Sequence, residues 1–382
     1  MQSLDEVLTR GVDKIYPDND SLKTALNAKK LRIYCGFDPT GNTLHLGHVV
    51  NLLKLRAFHQ LGHDVFVVIG TFTARIGDPD KAETRTKLTI DQVKENASDY
   101  VRQIRLFFPE VDDEHIKYNS EWLDKMDLSE MLEYLSFFTH AQIIERDLFQ
   151  ERLKKGSSLA MSELMYPIMQ AIDSDKLNID LELGGADQTF NMLIGKELMR
   201  KKNNKEKFVL TNRLLVDEKG EKAGKTTGNM IAISDTPADI RDKVSKIPNK
   251  LLIAYAEGAT DWEKEKINQF QNNPNYTELA EYYISKIYPD LEPGNLQDFV
   301  SQKISLSAKF PDASVNATLS SVIAGTAIAE SNSDAKRKIS EGVYIDDKIF
   351  NNPFEPIGNI IGNKNEITIS LKKKGRKTKI EK

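Results

Sequence analysis

The chain carries one cysteine, Cys35, and two tryptophans in 382 residues. A single thiol excludes an intramolecular disulfide and any zinc site built from several cysteines. No run of about 18 apolar residues occurs, so no segment reads as a membrane span. The opening residues, Met1-Gln2-Ser3-Leu4-Asp5-Glu6-Val7, have neither a basic start nor an apolar signal core, which reads against secretion. Internal repeats and low-complexity arrays are absent. Charge of one sign is also scarce: 53 Lys and Arg against 57 Asp and Glu leave a net −4. That balance points neither toward nor away from nucleic acid. These absences leave a cytoplasmic enzyme as the economical expectation. Hydrophobic and charged contents of 40% and 29% are those of an ordinary globular chain, here long enough for two or three domains.

What is present is concentrated in one stretch, Tyr34-Cys35-Gly36-Phe37-Asp38-Pro39-Thr40-Gly41-Asn42-Thr43-Leu44-His45-Leu46-Gly47-His48. It lies between a strand-like run, Leu31 to Cys35, and an amphipathic helix-like run, Val49 to Leu61. In a doubly wound α/β sheet that junction is where ligands bind, and free N–H groups at the helix start favour an anion. One helical turn brings His45 and His48 to the same side. The apolar run Val65 to Gly70 reads as a second, buried parallel strand, giving a strand–helix–strand crossover. Residues 90 to 175 read as mostly helical, with Asp127, Ser129 and Ser157 as helix starts. A short strand at Leu181 to Gly185 runs into a helix from Gln188 to Arg200, and Phe208 to Val216 reads as a further strand. Pro237, Pro248 and Pro274 read as breakers in a helical stretch. The last sixty residues read as a small α/β module.

Taken alone the two histidines are weak evidence, because a helix histidine is more often a surface or capping group. Their company raises their weight. Gly77-Asp78 follows the second strand, and Asp187-Gln188 follow a glycine pair after the third, where an acidic residue can bind ribose hydroxyls. The loop Lys222-Ala223-Gly224-Lys225-Thr226-Thr227-Gly228-Asn229 suits a cationic clamp on polyphosphate. It is not a P-loop: three residues, not four, separate Gly220 from Gly224, and Met230-Ile231-Ala232-Ile233 looks extended where a helix is required.

With these motifs in place, the chain resembles the class I aminoacyl-tRNA synthetases, and within them the bacterial tyrosyl-tRNA synthetases. His45-Leu46-Gly47-His48 is similar to the HIGH signature. Lys222-Ala223-Gly224-Lys225-Thr226 is similar to the KMSKS loop, with Ala223 and Gly224 in place of the usual Met and Ser. Tyr34 to Thr40, Tyr166 to Asp173 and Gly184-Gly185-Ala186-Asp187-Gln188 match further motifs, in order, over nearly the whole chain. The resemblance implies an α/β fold: a Rossmann-like doubly wound parallel sheet in a catalytic domain at 1–230, an all-helical domain at 231–318 near the anticodon stem, and a small S4-like α+β RNA-binding module with a basic tail at 319–382.

It also implies a tyrosine–tRNA ligase that forms tyrosyl-adenylate from tyrosine and ATP and then charges tRNA(Tyr). Tyr34 and Asp173 would read the phenolic hydroxyl. Asp78, Tyr166 and Gln170 would hold the ammonium, with Gln188 completing the amino-acid pocket. The i, i+4, i+7 spacing of Tyr166, Gln170 and Asp173 independently places them on one helix face; a polar surface face is the bland alternative. Thr40 and His45 would bind the γ-phosphate in the transition state. Lys81, Arg85, Lys222, Lys225 and Thr226 would grip pyrophosphate, although the loop holding Lys81 and Arg85 is one residue shorter than a common family version. Cys35, Gly36, Asp38, Gly47, His48, Gly184, Gly185 and Asp187 would line the ATP site, with Cys35 readable instead as a small buried strand residue. ATP would enter as its magnesium complex, with no metal held by the protein itself. A homodimer is implied as well.

At the far end, Ser331-Asn332-Ser333-Asp334-Ala335-Lys336-Arg337-Lys338-Ile339 reads as a helix, followed by a strand at Val343-Tyr344-Ile345 and an Asp346-Asp347 turn. The resemblance puts Lys336 and Arg337 on RNA backbone, although Lys338 and Asp347 depart from the pattern. From Leu371 to Lys382 there are seven Lys or Arg and one Glu. A polyanion partner and a solvated, disordered end are equally good readings of that tail. Two alternatives remain: a non-catalytic RNA-binding relative, and a ligase for tryptophan.

Overall fold

The computed structural model describes residues 2–78, 88–217, 230–289, 304–305, 319–320, 332–340, 343–345, 348–350, 352, 366–371 and 377–381. The chain divides into two compact units, Met1–Ile287 and Tyr288–Lys382.

The first unit is built on six strands: β1 (Val12–Tyr16), β2 (Arg32–Phe37), β3 (Asp64–Ile69), β4 (Ile116–Tyr118), β5 (Leu181–Gly185) and β6 (Phe208–Asn212). Their order across the sheet is β1-β6-β5-β2-β3-β4. All neighbours are parallel except β1, which pairs antiparallel with β6 along the edge. The chain moves outward from β2 through β3 to β4, then returns to lay β5 on the other side of β2. The carboxyl ends of β2 and β5 therefore flank the point where strand order reverses, which is where an open α/β sheet leaves a crevice. β3 and β5 are buried along nearly their whole length, as parallel strands covered on both faces must be.

Helices cover both faces: α1 (Leu4–Thr9), α2 (Asn19–Ala28), α3 (Leu46–Gln60), α4 (Ile90–Phe107), α5 (Ser120–Leu123), α6 (Leu128–Ser136), α7 (His140–Ile144), α8 (Asp147–Lys154), α9 (Met161–Lys176) and α10 (Thr189–Asn203). Four more follow among the described residues: α11 (Pro237–Ser245), α12 (Asn249–Ala259), α13 (Lys264–Asn272) and α14 (Tyr276–Ile287). A core of Leu123, Phe149, Ile168, Ala171, Ile172 and Leu198 locks α9 to its neighbours.

Several boundaries differ from the reading of the sequence. β1 was not foreseen, because Val12 is the one buried residue in a strand that carries Asp13 and Lys14. Ser157 ends a helix instead of starting one: Gly156 takes φ +71°, and the Ser157 N–H turns back to the Arg152 carbonyl at 2.9 Å, closing α8. Ser129 is internal to α6, whose cap is Asp127, accepting from the Glu130 N–H at 2.8 Å. Pro237 opens α11, and Pro248 directly precedes α12, because a first-turn proline lacks only an N–H that had no partner anyway. The strand expected at Phe208 to Val216 stops at Asn212.

Among its described residues the second unit shows α15 (Asn332–Ser340) and five short strands: β7 (Ile304–Ser305), β8 (Val343–Ile345), β9 (Lys348–Phe350), β10 (Glu366–Leu371) and β11 (Lys377–Glu381). They form one sheet in the order β7-β11-β10-β8-β9. β8 and β9 pair antiparallel with Ile345 opposite Lys348, while Asp346 and Asp347 lie outside the described residues. The basic end of the chain contributes β11, zipped antiparallel to β10 from Glu366↔Glu381 to Ser370↔Lys377. On α15, Ala335 and Ile339 are buried one turn apart, and Lys336 and Arg337 are exposed.

Candidate active site

A cleft of about 540 Å³ opens at the switch point. Its walls come from the carboxyl ends of β2, β5 and β6, the start of α3 and one face of α9. Sixteen residues singled out from the sequence line it: Tyr34, Cys35, Gly36, Asp38, Thr40, His45, Gly47, His48, Asp78, Tyr166, Gln170, Asp173, Gly184, Gly185, Asp187 and Gln188. Lys81, Arg85, Lys222, Lys225 and Thr226 lie outside the described residues. Lys336 and Arg337 belong to the second unit.

The loop from β2 into α3 is held by α4. Asn96 Nδ2 donates to the Pro39 carbonyl at 3.0 Å. Gln103 Nε2 donates to the Asn42 carbonyl at 3.0 Å, and Gln103 Oε1 accepts from the Leu44 N–H at 2.7 Å. The other side is tied to the segment that follows the lysine-rich loop: Leu46 N–H donates to the Ile231 carbonyl at 3.1 Å, and Ile233 N–H to the Leu44 carbonyl at 2.9 Å. The extended character read for residues 230–233 is thus an antiparallel bridge, Ala232 against His45. At the other end of the 218–229 segment, Arg213, Leu214 and Leu215 line the cleft.

His45 and His48 stack with ring centroids 3.8 Å apart and planes 24° from parallel. The His45 backbone N–H donates to His48 Nδ1 at 3.1 Å, so neutral His48 carries its proton on Nε2. Gly47 makes this possible, since a Cβ there would come within 2.9 Å of His45 Cε1. At the start of α3 the arrangement offers imidazole N–H groups beside the positive end of the helix, a setting for polyphosphate.

The opposite end of the cleft is a buried hydrogen-bonded wall. Asp173, 4% exposed, accepts from Trp122 Nε1 at 2.8 Å through Oδ1 and from Asn119 Nδ2 at 3.3 Å through Oδ2. Burial drives the Asp173 carboxyl well above the usual carboxylate range, against the pull of those two donors. Tyr166 donates to Asp38 Oδ2 at 2.8 Å, and Thr73 Oγ1 to Asp38 Oδ1 at 2.7 Å. Burial, then Asp38, raises the Tyr166 hydroxyl, which stays protonated. Asp78 pairs with Arg146 at 2.8 Å and accepts from Gln188 Nε2 at 2.7 Å. Burial likewise pushes the Cys35 thiol up, so it remains a thiol.

Asn119, Trp122, Thr73 and Arg146 were not legible as site residues, because each reaches the site from an element far away in sequence. Asn51 and Asn212 were also missed: they join across the cleft rim at 2.8 Å. Asp38, Asp78 and Asp173 are engaged by Thr73, Arg146, Asn119 and Trp122. Among the described residues no three His, Cys, Asp or Glu side chains are grouped to hold a metal. No helix among the described residues is long and apolar enough to cross a membrane.

The family model described as tRNA synthetases class I (W and Y) matches residues 26–304. The tyrosine–tRNA ligase of Thermotoga maritima is 35% identical over 359 residues, covering 89% of this chain and 89% of its own. That of Trichormus variabilis is 34% identical over 382 residues, covering 93% and 95%. Among solved structures, a C-terminally truncated mitochondrial tyrosyl-tRNA synthetase from Coccidioides posadasii superimposes with a TM-score of 0.63 at 22% identity, over 75% of this chain and 89% of its own. The tyrosyl-tRNA synthetase from Archaeoglobus fulgidus, complexed with L-tyrosine, gives 0.59 at 19%, over 74% and 96%. At those identities the two structures speak to the fold alone.

Proposed function

The chain belongs to the class I tRNA synthetases of the tryptophan and tyrosine group, and from that premise we propose how its cleft ligates tyrosine to tRNA. The observation that carries the proposal is the polarity of one cleft. Thr40, His45 and His48 stand at its helix N-terminal end, and Tyr34 and the buried Asp173 stand at the other. A buried acceptor such as Asp173 favours a phenol over a bare phenyl ring, because phenylalanine brings it no donor.

Tyrosine enters with its hydroxyl toward Tyr34 and Asp173 and its ammonium toward Asp78, Tyr166 and Gln170. Its carboxylate oxygen attacks the α-phosphorus of ATP. The bond from that phosphorus to the bridging oxygen breaks, and pyrophosphate leaves with the electron pair. Such a reaction needs positioning and charge stabilisation more than covalent help. Thr40 and His45 hold the γ-phosphate, and Lys81, Arg85, Lys222, Lys225 and Thr226 hold the departing pyrophosphate. Magnesium comes with the nucleotide as part of the substrate. Cys35, Gly36, Asp38, Gly47, His48, Gly184, Gly185 and Asp187 border the ribose and adenine. In the second step a ribose hydroxyl at the tRNA 3′ end attacks the tyrosyl carbonyl and AMP leaves.

The second unit, with Lys336 and Arg337 exposed on α15, is proposed as an S4-like tRNA-binding module, and α11 to α14 as the helical part that meets the tRNA stem, in a cytoplasmic enzyme. Removing residues 288–382 should leave pyrophosphate exchange within about threefold of the full chain. Charging of tRNA should fall about tenfold or more at low salt, and the deficit should narrow as salt rises, because salt weakens the phosphate contacts that only the full chain makes. Equal loss of both activities would contradict this role. A homodimer is proposed as well, supported by large apolar side chains left exposed on the first unit: Leu128 at 74%, Leu132 at 56% and Met161 at 73%. Light scattering should read twice the 43.2 kDa of one chain; a single-chain mass would refute it.

A further inference from the structure

Below the amino-acid end of the cleft lies an ion pair that the mechanism above does not use. Glu182 on β5 and Lys207, immediately before β6, are 1% and 0% exposed and bonded to each other. Glu182 sits beside Tyr34 in the parallel register of β2 and β5. Its Oε1 accepts from the Tyr34 hydroxyl at 2.6 Å and from Gln170 Nε2 at 2.8 Å. Its Oε2 accepts from Lys207. The Lys207 ammonium spends its other two protons on Ser174 Oγ at 2.8 Å and the Met192 carbonyl at 3.4 Å. The space is made for it: a Cβ at Gly195 would fall on Lys207 Nζ and lie 3.3 Å from both Glu182 Oε2 and Ser174 Oγ.

Two charges are rarely buried together unless paired and fully hydrogen-bonded, and this pair is both. A carboxylate can only accept. The single hydroxyl proton of Tyr34 therefore points at Glu182, Ser174 Oγ donates to the Tyr34 oxygen at 3.3 Å, and what this 0% exposed residue has left to offer at the cleft wall is its remaining lone pair. By the same rule the Gln170 amide turns its N–H₂ to Glu182 and leaves its carbonyl oxygen as the free end.

We propose that the buried Glu182–Lys207 pair is the positioning element of tyrosine recognition, fixing Tyr34 as an acceptor that demands a phenolic O–H donor and Gln170 as an acceptor that suits an ammonium. The inference rests on the tyrosine reading of the cleft and adds to it two residues outside the recognition motifs. Phenylalanine keeps the ammonium but offers no O–H donor. The contribution through Gln170 thus cancels in the tyrosine-to-phenylalanine ratio, whereas the contribution through Tyr34 remains in it.

The test is a cycle of four full-length proteins assayed by pyrophosphate exchange: wild type, Tyr34→Phe, Glu182→Met/Lys207→Met, and the three substitutions combined. Replacing both charges avoids stranding one in the interior, and near-UV circular dichroism checks that each protein is folded. Removing the pair should raise KM for tyrosine about tenfold with kcat changed less than threefold, and should lower the tyrosine-to-phenylalanine ratio of kcat/KM about tenfold, the value of one hydrogen bond of this kind. In the Tyr34→Phe background it should lower that ratio by less than about twofold. Glu182→Gln/Lys207→Met, which keeps an acceptor beside Tyr34, should return the ratio to within about threefold of wild type. If Glu182→Met/Lys207→Met does not fold, Glu182→Leu/Lys207→Met takes its place. An unchanged ratio, an equal fall in both backgrounds, or no rescue by Glu182→Gln overturns the inference while wild-type exchange with tyrosine stands. Absence of that exchange in the wild type would instead overturn the reading of the cleft.

Discussion

Asp173→Ala should abolish most of the enzyme's preference for tyrosine over phenylalanine. Both carboxylate oxygens already accept from protein donors, Trp122 Nε1 at 2.8 Å and Asn119 Nδ2 at 3.3 Å, and the residue is buried at the cleft wall. A hydrogen bond to such a group contributes about 1.5–3 kcal/mol, or roughly 10- to 150-fold in kcat/KM for tyrosine. Phenylalanine gains nothing from Asp173 and buries the carboxyl's remaining lone pairs without a donor, a cost of about 1 kcal/mol or more that alanine removes. The two changes move the ratio the same way, so its fall should reach about 100-fold or more. Trp122 and Asn119 lose their partner in the variant, so some stability should be lost as well. Exchange kinetics with the two amino acids read the ratio directly. An unchanged ratio would remove Asp173 from specificity.

A second large effect is expected at the other end of the cleft. His45→Ala should lower kcat for adenylate formation about 100-fold, the usual cost of losing one donor to charge that develops in the transition state. KM for tyrosine should stay within about twofold, because the amino acid binds at the opposite wall. The imidazole is held by its stack on His48 and by the room that Gly47 leaves, so the donor is oriented before ATP arrives. His45→Asn, which keeps a donor on a shorter side chain, should recover part of the rate. Single-turnover formation of tyrosyl-adenylate separates these outcomes. A change confined to KM for tyrosine would contradict the assignment.

The parts of this site that could be read from sequence are those whose meaning is local. The strand–loop–helix around Tyr34 to His48 declares itself by apolar period and glycine placement, and the structure puts it at the sheet's switch point. The face of Tyr166, Gln170 and Asp173 follows from helical spacing alone, and Pro167 did not break the helix that carries it. The supporting residues have no such local signature. Glu182 and Lys207 are charged residues 25 positions apart that look like solvated ends of two strands. Only the pairing of β5 with β2 and β6 brings them under Tyr34. Trp122 and Asn119 come from the β4–α5 corner, 51 and 54 residues before the Asp173 they serve. A glutamate between Leu181 and Leu183 in a buried parallel strand, two residues before a glycine pair, was the one available hint.

The account stands or falls on amino-acid-dependent exchange of labelled pyrophosphate into ATP, measured for the full chain with each of the twenty amino acids in turn. It predicts rapid exchange with tyrosine and only trace exchange with phenylalanine or tryptophan. Exchange with tryptophan but not tyrosine would contradict the role given to Tyr34 and Asp173, and exchange with none would contradict the catalytic reading altogether.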